Sequence, residues 1–380
     1  SDVSGAFDHV STSRLLAKLR SKGLHPLVLH VLASWLDRRS ATVLVGGSFS
    51  EIFEILNSVF QGTVWGPPLW NVFFEDARNS VNQLGYVESV YADDLNCFKE
   101  FDRLASDASV LHSLRECQQQ LHSWGVSNQV VFDPGKESLH ILDDRNPVGE
   151  AFRLLGVLFD TRLTMRDAIM EIAAQAHCRV RMVLRTRRFS TTSETVRLYK
   201  SQVLSYLEHS TPAVHHATPF HLGAFDRVQA SFLEAMNLTE LEALLTYKLA
   251  PLRTRRDIAL LGVLHRFAHA LAPACFDELF HFGQAAALPR RRLHQSHNRQ
   301  IYDPIDGSQS RAVERSIYGL IYSFNCLPSA VVEQDTTSNF QSMLQRAVVN
   351  AAKSGCERWR TTLSDGITTT TMSKFHANFS

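Results

Sequence analysis

Several features are absent from this 380-residue sequence, and each absence narrows the class of protein. The six cysteines are scattered and include no Cys-x-x-Cys pair, so we expect reduced intracellular thiols and neither a disulfide framework nor a zinc ribbon. No apolar run reaches the roughly 18 residues of a membrane span, which argues against membrane insertion. Neither a P-loop nor a Gly-x-Ser-x-Gly elbow occurs, so the sequence indicates no Walker-type nucleotide site and no hydrolase nucleophile.

A strong net charge is also absent. The 39 basic and 38 acidic residues leave a formal charge of +1, so any grip on phosphates must come from local basic clusters. The composition, with 44% hydrophobic and 20% charged residues, is that of a globular protein. The length suggests roughly two to three domains.

The hydrophobic pattern changes near residue 163. Before it, hairpins are indicated at 41–55 and 87–99, with helices between them and short strands near 128–132, 138–142 and 152–158. After it, helical periodicity dominates at about 165–188, 192–210, 220–236 and 255–281. The sequence therefore predicts an α+β first part followed by a helical remainder.

Two adjacent acids occupy the predicted turn of the second hairpin, in Tyr91-Ala92-Asp93-Asp94. Nucleotidyl transfer needs two divalent cations, and magnesium prefers carboxylate oxygens that converge from different strands. Asp2, at a separate strand end, is a candidate third ligand. On the tetrapeptide alone, an ordinary Asp-Asp hairpin turn remains the simpler interpretation.

Four other segments favour the metal-binding interpretation of the acidic turn over an ordinary hairpin turn. They are Asp2-Val3-Ser4-Gly5-Ala6-Phe7-Asp8, the stretch Phe60-Gln61-Gly62 to Asn71, Trp124 with Asp133-Pro134-Gly135-Lys136, and Leu154-Leu155-Gly156 to Asp160. With the acidic turn as motif C, these resemble motifs A, B, D and E of reverse transcriptases, in the family's order and spacing. The resemblance is specific to non-LTR retrotransposons, near the jockey-like elements. It is strong to about residue 163 and thin after it.

The same segments depart from the family's pattern at a few positions. Phe60 stands where the family usually has proline, and Trp65 and Trp70 replace smaller apolar residues. Asp133 occupies the place of a usual asparagine. These departures are also compatible with an old, drifting copy of a mobile element.

The resemblance implies a polymerase architecture. We expect a palm at 1–163 with an antiparallel sheet and helices on one face, a helical thumb or connection at 164–285, a C-terminal helical region at 286–360 and a flexible tail at 361–380. The fingers that precede motif A in the family are missing here, because only Ser1 stands before Asp2. The isolated chain is accordingly expected to be inactive or nearly so.

The resemblance also implies individual roles. Asp2, Asp93 and Asp94 would bind two Mg²⁺ ions, with Mn²⁺ as an alternative; Lys136 would protonate the leaving pyrophosphate; Val3, Phe7, Gln61 and Gly62 would contact the nucleotide; Leu155 and Gly156 would belong to the primer grip. Phe7 matches the residue that excludes a ribose 2′-hydroxyl. Each role has a plainer alternative: Phe7 as a core residue, Lys136 as a solvated turn lysine.

Arginines crowd the first predicted helix after the palm. Arg181, Arg185 and Arg188 are candidates for phosphate contacts, since thumb helices of the family lie along the duplex. A solvated helix face is the alternative interpretation.

The function implied is that of an RNA-directed DNA polymerase fragment, with an RNA template, a DNA primer or target and deoxynucleoside triphosphates as partners, acting in the nucleus. A catalytically inactive remnant that at most binds nucleic acid is the alternative. An RNA-dependent RNA polymerase is disfavoured by the bulky Phe7 and by the Tyr-Ala-Asp-Asp box. The sequence does not indicate an oligomeric state.

Overall fold

The structure is a computed structural model that describes residues 3, 5–102, 104–133, 135–283, 297–305, 307, 309–364 and 376–379. The chain divides into two compact units, Ser1–Glu150 and Ala151–Ser380. Each unit is described by itself below. None of the described helices combines the length and the apolarity needed to cross a membrane.

The first unit combines helices with short antiparallel hairpins. Its elements are α1 (Thr12–Ser21), α2 (Pro26–Leu36), β1 (Arg39–Ala41), β2 (Leu44–Val45), β3 (Ser48–Phe49), β4 (Phe53–Ile55), α3 (Gly66–Asn82), β5 (Val87–Tyr91), β6 (Asp94–Phe98) and α4 (Asp107–Asn128). Strand β1 pairs with β4, β2 with β3 and β5 with β6, all antiparallel. A single antiparallel bridge joins Val3 to Phe132.

Helix α3 lies at the centre of this unit, between α1 and α4. Its buried face carries aromatic side chains, and a polar contact ties the three helices together. Lys18 Nζ on α1 and Trp124 Nε1 on α4 both donate to Asp76 Oδ1 on α3, at 2.7 and 2.9 Å. Burial lowers the pKa of Lys18, and its hydrogen bond to Asp76 opposes that shift. The Trp124 of the predicted motif D therefore helps to hold α3 in place.

The second unit is mostly helical. Its elements are β7 (Phe152–Leu154), β8 (Val157–Phe159), α5 (Arg166–Thr186), α6 (Thr192–Tyr199), α7 (Ser205–His209), α8 (Thr211–Val214), α9 (Pro219–Ala235), α10 (Glu240–Tyr247), α11 (Leu252–Ala268), α12 (Phe276–Leu279), α13 (Arg311–Arg315), α14 (Ile321–Asn325), α15 (Ser329–Val332) and α16 (Thr337–Lys353). A π-helical turn, Lys200–Leu204, joins α6 to α7, and 3₁₀ turns lie at Ile317–Leu320 and Trp359–Thr361.

Two apolar clusters hold the second unit together. One lies between α5, α6 and α9, and the other is centred on α11 and α16. The junction between β8 and α5 is fixed by Asp160. Its carboxylate accepts backbone N–H groups of Arg162, Thr164 and Met165 at 3.2, 3.0 and 2.7 Å.

Several expectations agree with this fold at a coarse level. The mixture of helices and small sheets is compatible with the predicted α+β class. Helix α4 begins at Asp107, where the Ser106 side chain accepts the Ser109 N–H and so caps the helix. The assignment of palm and thumb stays a prediction.

Other expectations were not met. Across the described residues the strands pair two by two, in place of the single palm sheet, and Phe132 and Ile141 form only isolated bridges where strands were expected. The helix expected over 255–281 ends at Ala268, since Ala270 adopts a left-handed conformation and Pro273 follows. The hairpin 152–159, which the sequence placed with the first part, lies in the second compact unit, and the predicted domain boundary stays a prediction. Residues 284–296 and 365–375, within the predicted C-terminal region and tail, lie outside the described residues.

Candidate active site

An open cleft of about 520 Å³ lies in the first unit. It is lined by Phe7, Gln61, Gly62, Thr63, Val64, Pro67 and Asp93. These residues come from three separate stretches of sequence, the predicted motifs A, B and C. The fold therefore brings together the side chains that the sequence placed at a nucleotide site.

Phe7 reaches the cleft from a turn that follows the Val3 bridge. The turn closes through the Asp8 N–H, which donates to the Gly5 carbonyl at 2.8 Å, and Gly5 has a φ of +57°. The Val59 N–H then donates to the Phe7 carbonyl at 2.8 Å, which anchors the turn beside the motif B loop. Val3 itself is buried, at 2% exposure. Asp2, the predicted third carboxylate, lies outside the described residues.

The motif B loop presents Gln61 and Gly62 at the cleft surface. Gly62 has a φ of +79°, a conformation that side chains other than glycine rarely adopt. The Thr63 hydroxyl donates to the Phe60 carbonyl at 2.8 Å and accepts the Gly66 N–H at 3.1 Å, which leads the loop into α3. The Phe60 ring lies under the Arg39 guanidinium, 4.9 Å away, and burial lowers the pKa of Arg39.

Gly66 is a residue of this site that the sequence interpretation missed. A Cβ at Gly66 would lie 3.2 Å from the Phe7 ring and 3.1 Å from the Phe60 carbonyl. Its small size therefore lets the start of α3 approach both the motif A turn and the motif B loop. The only available signal was a glycine directly before Pro67 at a helix start, which is not specific.

The acidic hairpin differs from the prediction by one residue. Tyr91 pairs with Asp94, so the two turn residues are Ala92 and Asp93, and Asp94 is the first residue of β6. Asp93 lines the cleft, whereas Asp94 is half-buried beside it and is not part of the lining. The two acids therefore differ in backbone position, because Asp93 belongs to the turn and Asp94 to the strand.

A second missed residue supports this turn. The Nε1–H of Trp70, on α3, donates to the Ala92 carbonyl at 2.8 Å. The same indole stacks on the Phe7 ring, with centroids 6.0 Å apart. The sequence showed Trp70 only as a departure from the family's pattern, so its role had no local signal.

The remaining predicted residues lie away from the cleft lining. Lys136 is exposed in a turn closed by its N–H to the Asp133 carbonyl at 3.0 Å. In the second unit, Leu155 and Gly156 form the two-residue turn between β7 and β8, with φ values of +47° and +82°. Neither the catalytic role of Lys136 nor the primer-grip role of the hairpin follows from these positions.

The arginines of α5 separate into two groups. Arg179 stacks over the Tyr206 ring at 3.8 Å, and Arg187 donates to the Ala235 carbonyl at 2.9 Å. Arg181, Arg185 and Arg188 are exposed. Arg181 and Arg185 lie four residues apart on one face of α5, and Arg181 also donates to Cys178 Sγ at 3.0 Å. Arg188 lies in the turn that follows the end of the helix at Thr186.

The described residues contain no group of three or more histidine, cysteine, aspartate or glutamate side chains arranged to hold a metal ion. Asp93 nevertheless brings a carboxylate to the cleft, and the carboxylate of the next residue, Asp94, belongs to the adjoining strand β6. Carboxylate oxygens are the ligands that Mg²⁺ prefers, so this donor set fits that ion.

The chain is similar to known proteins over the part that contains this cleft. Residues 1–139 match the family described as reverse transcriptase (RNA-dependent DNA polymerase). The chain is 24% identical over 257 residues to the RNA-directed DNA polymerase from mobile element jockey of Drosophila funebris. It is 28% identical over 258 residues to the protein of the same description from Drosophila melanogaster. Each alignment covers 62% of this chain and 28% of the relative.

Residues 1–139 are therefore similar to the reverse transcriptase family, and the chain resembles RNA-directed DNA polymerases of mobile elements. Its resemblance is to the non-LTR, jockey-like branch, which confirms the prediction made from the five motifs. It spans 28% of the length of the curated relatives it matches. Because 62% of the chain aligns, the likeness extends beyond the motif-bearing residues 1–163.

Proposed function

We propose that this chain is the catalytic segment of a polymerase that copies RNA into DNA by extending a primer 3′-hydroxyl. The observation that carries the proposal is the convergence of Phe7, Gln61 and Asp93 on one cleft. The three residues belong to segments that are distant in sequence, and together they offer an aromatic, an amide and a carboxylate side chain to a nucleotide bound in the cleft. If the three motifs had no common function, there would be no reason for their side chains to line the same cleft.

In this proposal the acidic hairpin binds the divalent cations. Asp93 and Asp94, with Asp2, would hold two Mg²⁺ ions, and Mn²⁺ has the same preference for oxygen ligands. When bound, such ions activate the primer hydroxyl and neutralise charge on the triphosphate. Asp93 has the more direct role, since it lines the cleft and Asp94 lies beside it.

The other cleft residues select and hold the nucleotide. The Phe7 ring occupies space that a ribose 2′-hydroxyl would need, which favours deoxynucleotides. Gln61 and Gly62 provide the backbone and side-chain surface for the incoming nucleotide. Lys136 is proposed to protonate the pyrophosphate leaving group.

The second unit is proposed to hold the primer and template. Arg181, Arg185 and Arg188 present an exposed positive face to phosphates, and Leu155 with Gly156 contacts the primer end. The partners are then an RNA template, a DNA primer or target and deoxynucleoside triphosphates. Action on chromosomal DNA in the nucleus follows from the same proposal.

A second candidate function keeps only the nucleic-acid contacts. The arginine face of α5 does not depend on the acidic hairpin, so a catalytically inactive remnant would still bind nucleic acid. The two functions differ in what Asp93 does. In the first it is essential for extension, and in the second it is dispensable.

The experiment that separates them is RNA-templated extension of a labelled DNA primer with Mg²⁺ and deoxynucleotides. The purified chain, its Asp93→Asn variant and an Asp102→Asn control are compared; Asp102 is exposed and caps only its own turn. Extension by the wild type and the control, abolished in Asp93→Asn, would establish polymerase activity in this chain. Binding of the primer–template by all three proteins without extension, together with an Mn²⁺ affinity that Asp93→Asn leaves unchanged, would support the inactive remnant.

A further inference from the structure

Trp70 is a buried aromatic residue of the first unit that contacts two of the segments around the cleft. Its side chain is 1% exposed, and the ring stacks on Phe74 of the same helix, with centroids 5.0 Å apart and planes 18° apart. The indole is therefore held in one orientation by packing. Its N–H contacts the acidic turn, and its ring contacts Phe7 of the motif A turn.

The N–H is directed at the acidic turn. Ala92 adopts a φ of +56°, a left-handed conformation that is unfavourable for a residue with a Cβ. Its carbonyl accepts the Trp70 Nε1–H at 2.8 Å. This long-range hydrogen bond stabilises a strained turn residue directly before Asp93.

The ring face is directed at Phe7. The two rings stack with centroids 6.0 Å apart and planes 27° apart, so the indole forms the wall behind Phe7. Phe7 and Asp93 both line the cleft. A single rigid side chain thus contacts the segments that present both of them.

We propose that Trp70 is a positioning residue that fixes Asp93 relative to the Phe7 ring, and thereby sets the separation of the metal-binding carboxylate from the sugar-selecting side chain. The inference rests on the proposed function for its consequence, but the positioning itself is independent of it.

The test uses Trp70→Phe, which keeps an aromatic ring and removes the N–H. Hydrogen exchange of peptides from 87–98 is expected to be about fivefold faster, the factor that corresponds to one ordinary hydrogen bond. Two controls accompany it. Val81→Ala removes a fully buried side chain from the same core and lowers stability without touching the turn. Trp65→Phe changes the other tryptophan of this segment, which is half exposed and is not part of the cleft lining.

Titration with Mn²⁺ provides the second readout. Trp70→Phe should bind Mn²⁺ about tenfold more weakly than wild type, the lower end of the range for residues that orient a metal ligand, because Trp70 holds the neighbouring Ala92 and does not bond to the Asp93 carboxylate, while both controls bind normally. Equal exchange of the turn in Trp70→Phe and Val81→Ala would overturn the positioning role. Faster exchange with unchanged Mn²⁺ affinity would overturn the link to the metal site. Wild-type Mn²⁺ binding that does not depend on Asp93 would instead refute the proposed function, and the exchange data would still decide the role of Trp70.

Discussion

The arginine face of α5 gives a quantitative prediction about nucleic-acid binding. Arg185, in the last turn of α5, and Arg188, in the turn after the helix ends, are both exposed. Arg179 and Arg187 belong to the same helix and its C-terminal turn, but they contact a tyrosine ring and a backbone carbonyl within the unit. Two double variants with the same change in net charge can therefore be compared, Arg185→Ala/Arg188→Ala and Arg179→Ala/Arg187→Ala.

The magnitude follows from counterion release. Each phosphate neutralised contributes about 0.9 to the slope of log K against log salt, so loss of two contacts lowers the slope by about 1.8. Between 50 and 200 mM salt, one contact corresponds to a change of about 3.5-fold in affinity and two contacts to about 12-fold. The Arg185/Arg188 variant should show this loss, and a further Arg181→Ala change should lower the slope by about 0.9 more.

Fluorescence anisotropy of a labelled RNA–DNA duplex, measured across a salt series, provides the assay. The Arg179/Arg187 variant should keep the wild-type slope, because those guanidinium groups are engaged within the protein. Identical slopes for the two double variants would refute the assignment of phosphate contacts to the exposed face. A slope lowered equally in both would indicate only the general effect of net charge.

Two further predictions concern stability. Asp160→Ala should destabilise the second unit by about 2 kcal/mol, because the carboxylate holds the turn before α5, whereas the exposed Asp167→Ala should lose less than about 1 kcal/mol. Burial alone would raise the pKa of Asp160, but hydrogen bonds from the following backbone outweigh it and lower the pKa. This stabilisation is therefore present above the unfolded-state pKa of about 4 and is lost as the pH falls through the lower folded-state pKa, which urea unfolding at about pH 7 and pH 3 would detect. In the first unit, Gly125→Ala should cost about 1–3 kcal/mol, because the new Cβ would lie 2.8 Å from a backbone carbonyl and 3.0 Å from the Phe132 ring. Gly223→Ala, with its nearest neighbouring atom at 3.7 Å, should instead stabilise its helix by about 0.5–1 kcal/mol, and the opposite order of melting temperatures would contradict this account.

Local sequence patterns predicted much of the cleft. The hairpin around the acidic pair, the loop at Gln61-Gly62 and the helix after it all occur where turn residues and periodicity placed them. The turn itself was placed one residue too late. An Ala-Asp turn with Ala92 at positive φ is locally unfavourable, so propensity alone favours the acidic pair as the turn. The contact from Trp70, 22 residues away, is what compensates for that local preference.

Long-range contacts limited the prediction elsewhere as well. The bridge between Val3 and Phe132 joins the two ends of the first unit, and its register has no signature in either segment. The early end of α11 at Ala268 is a different case, because Pro273 was a local signal that the prediction of a helix over 255–281 did not use. The contacts of the arginines were also not predictable from their spacing. Arg179 contacts Gln202 and Tyr206, and Arg187 contacts Ala235, and all three partners are distant in sequence.

The central claim is that Asp93 binds a catalytic divalent cation at the cleft. Electron paramagnetic resonance of free Mn²⁺, titrated with wild-type protein, Asp93→Asn and the control Asp102→Asn, tests it most directly. We predict that Asp93→Asn weakens Mn²⁺ binding about tenfold or more, because a direct oxygen ligand loses its charge, and that Asp102→Asn binds as the wild type does. Equal Mn²⁺ affinity for wild type and Asp93→Asn would contradict the account.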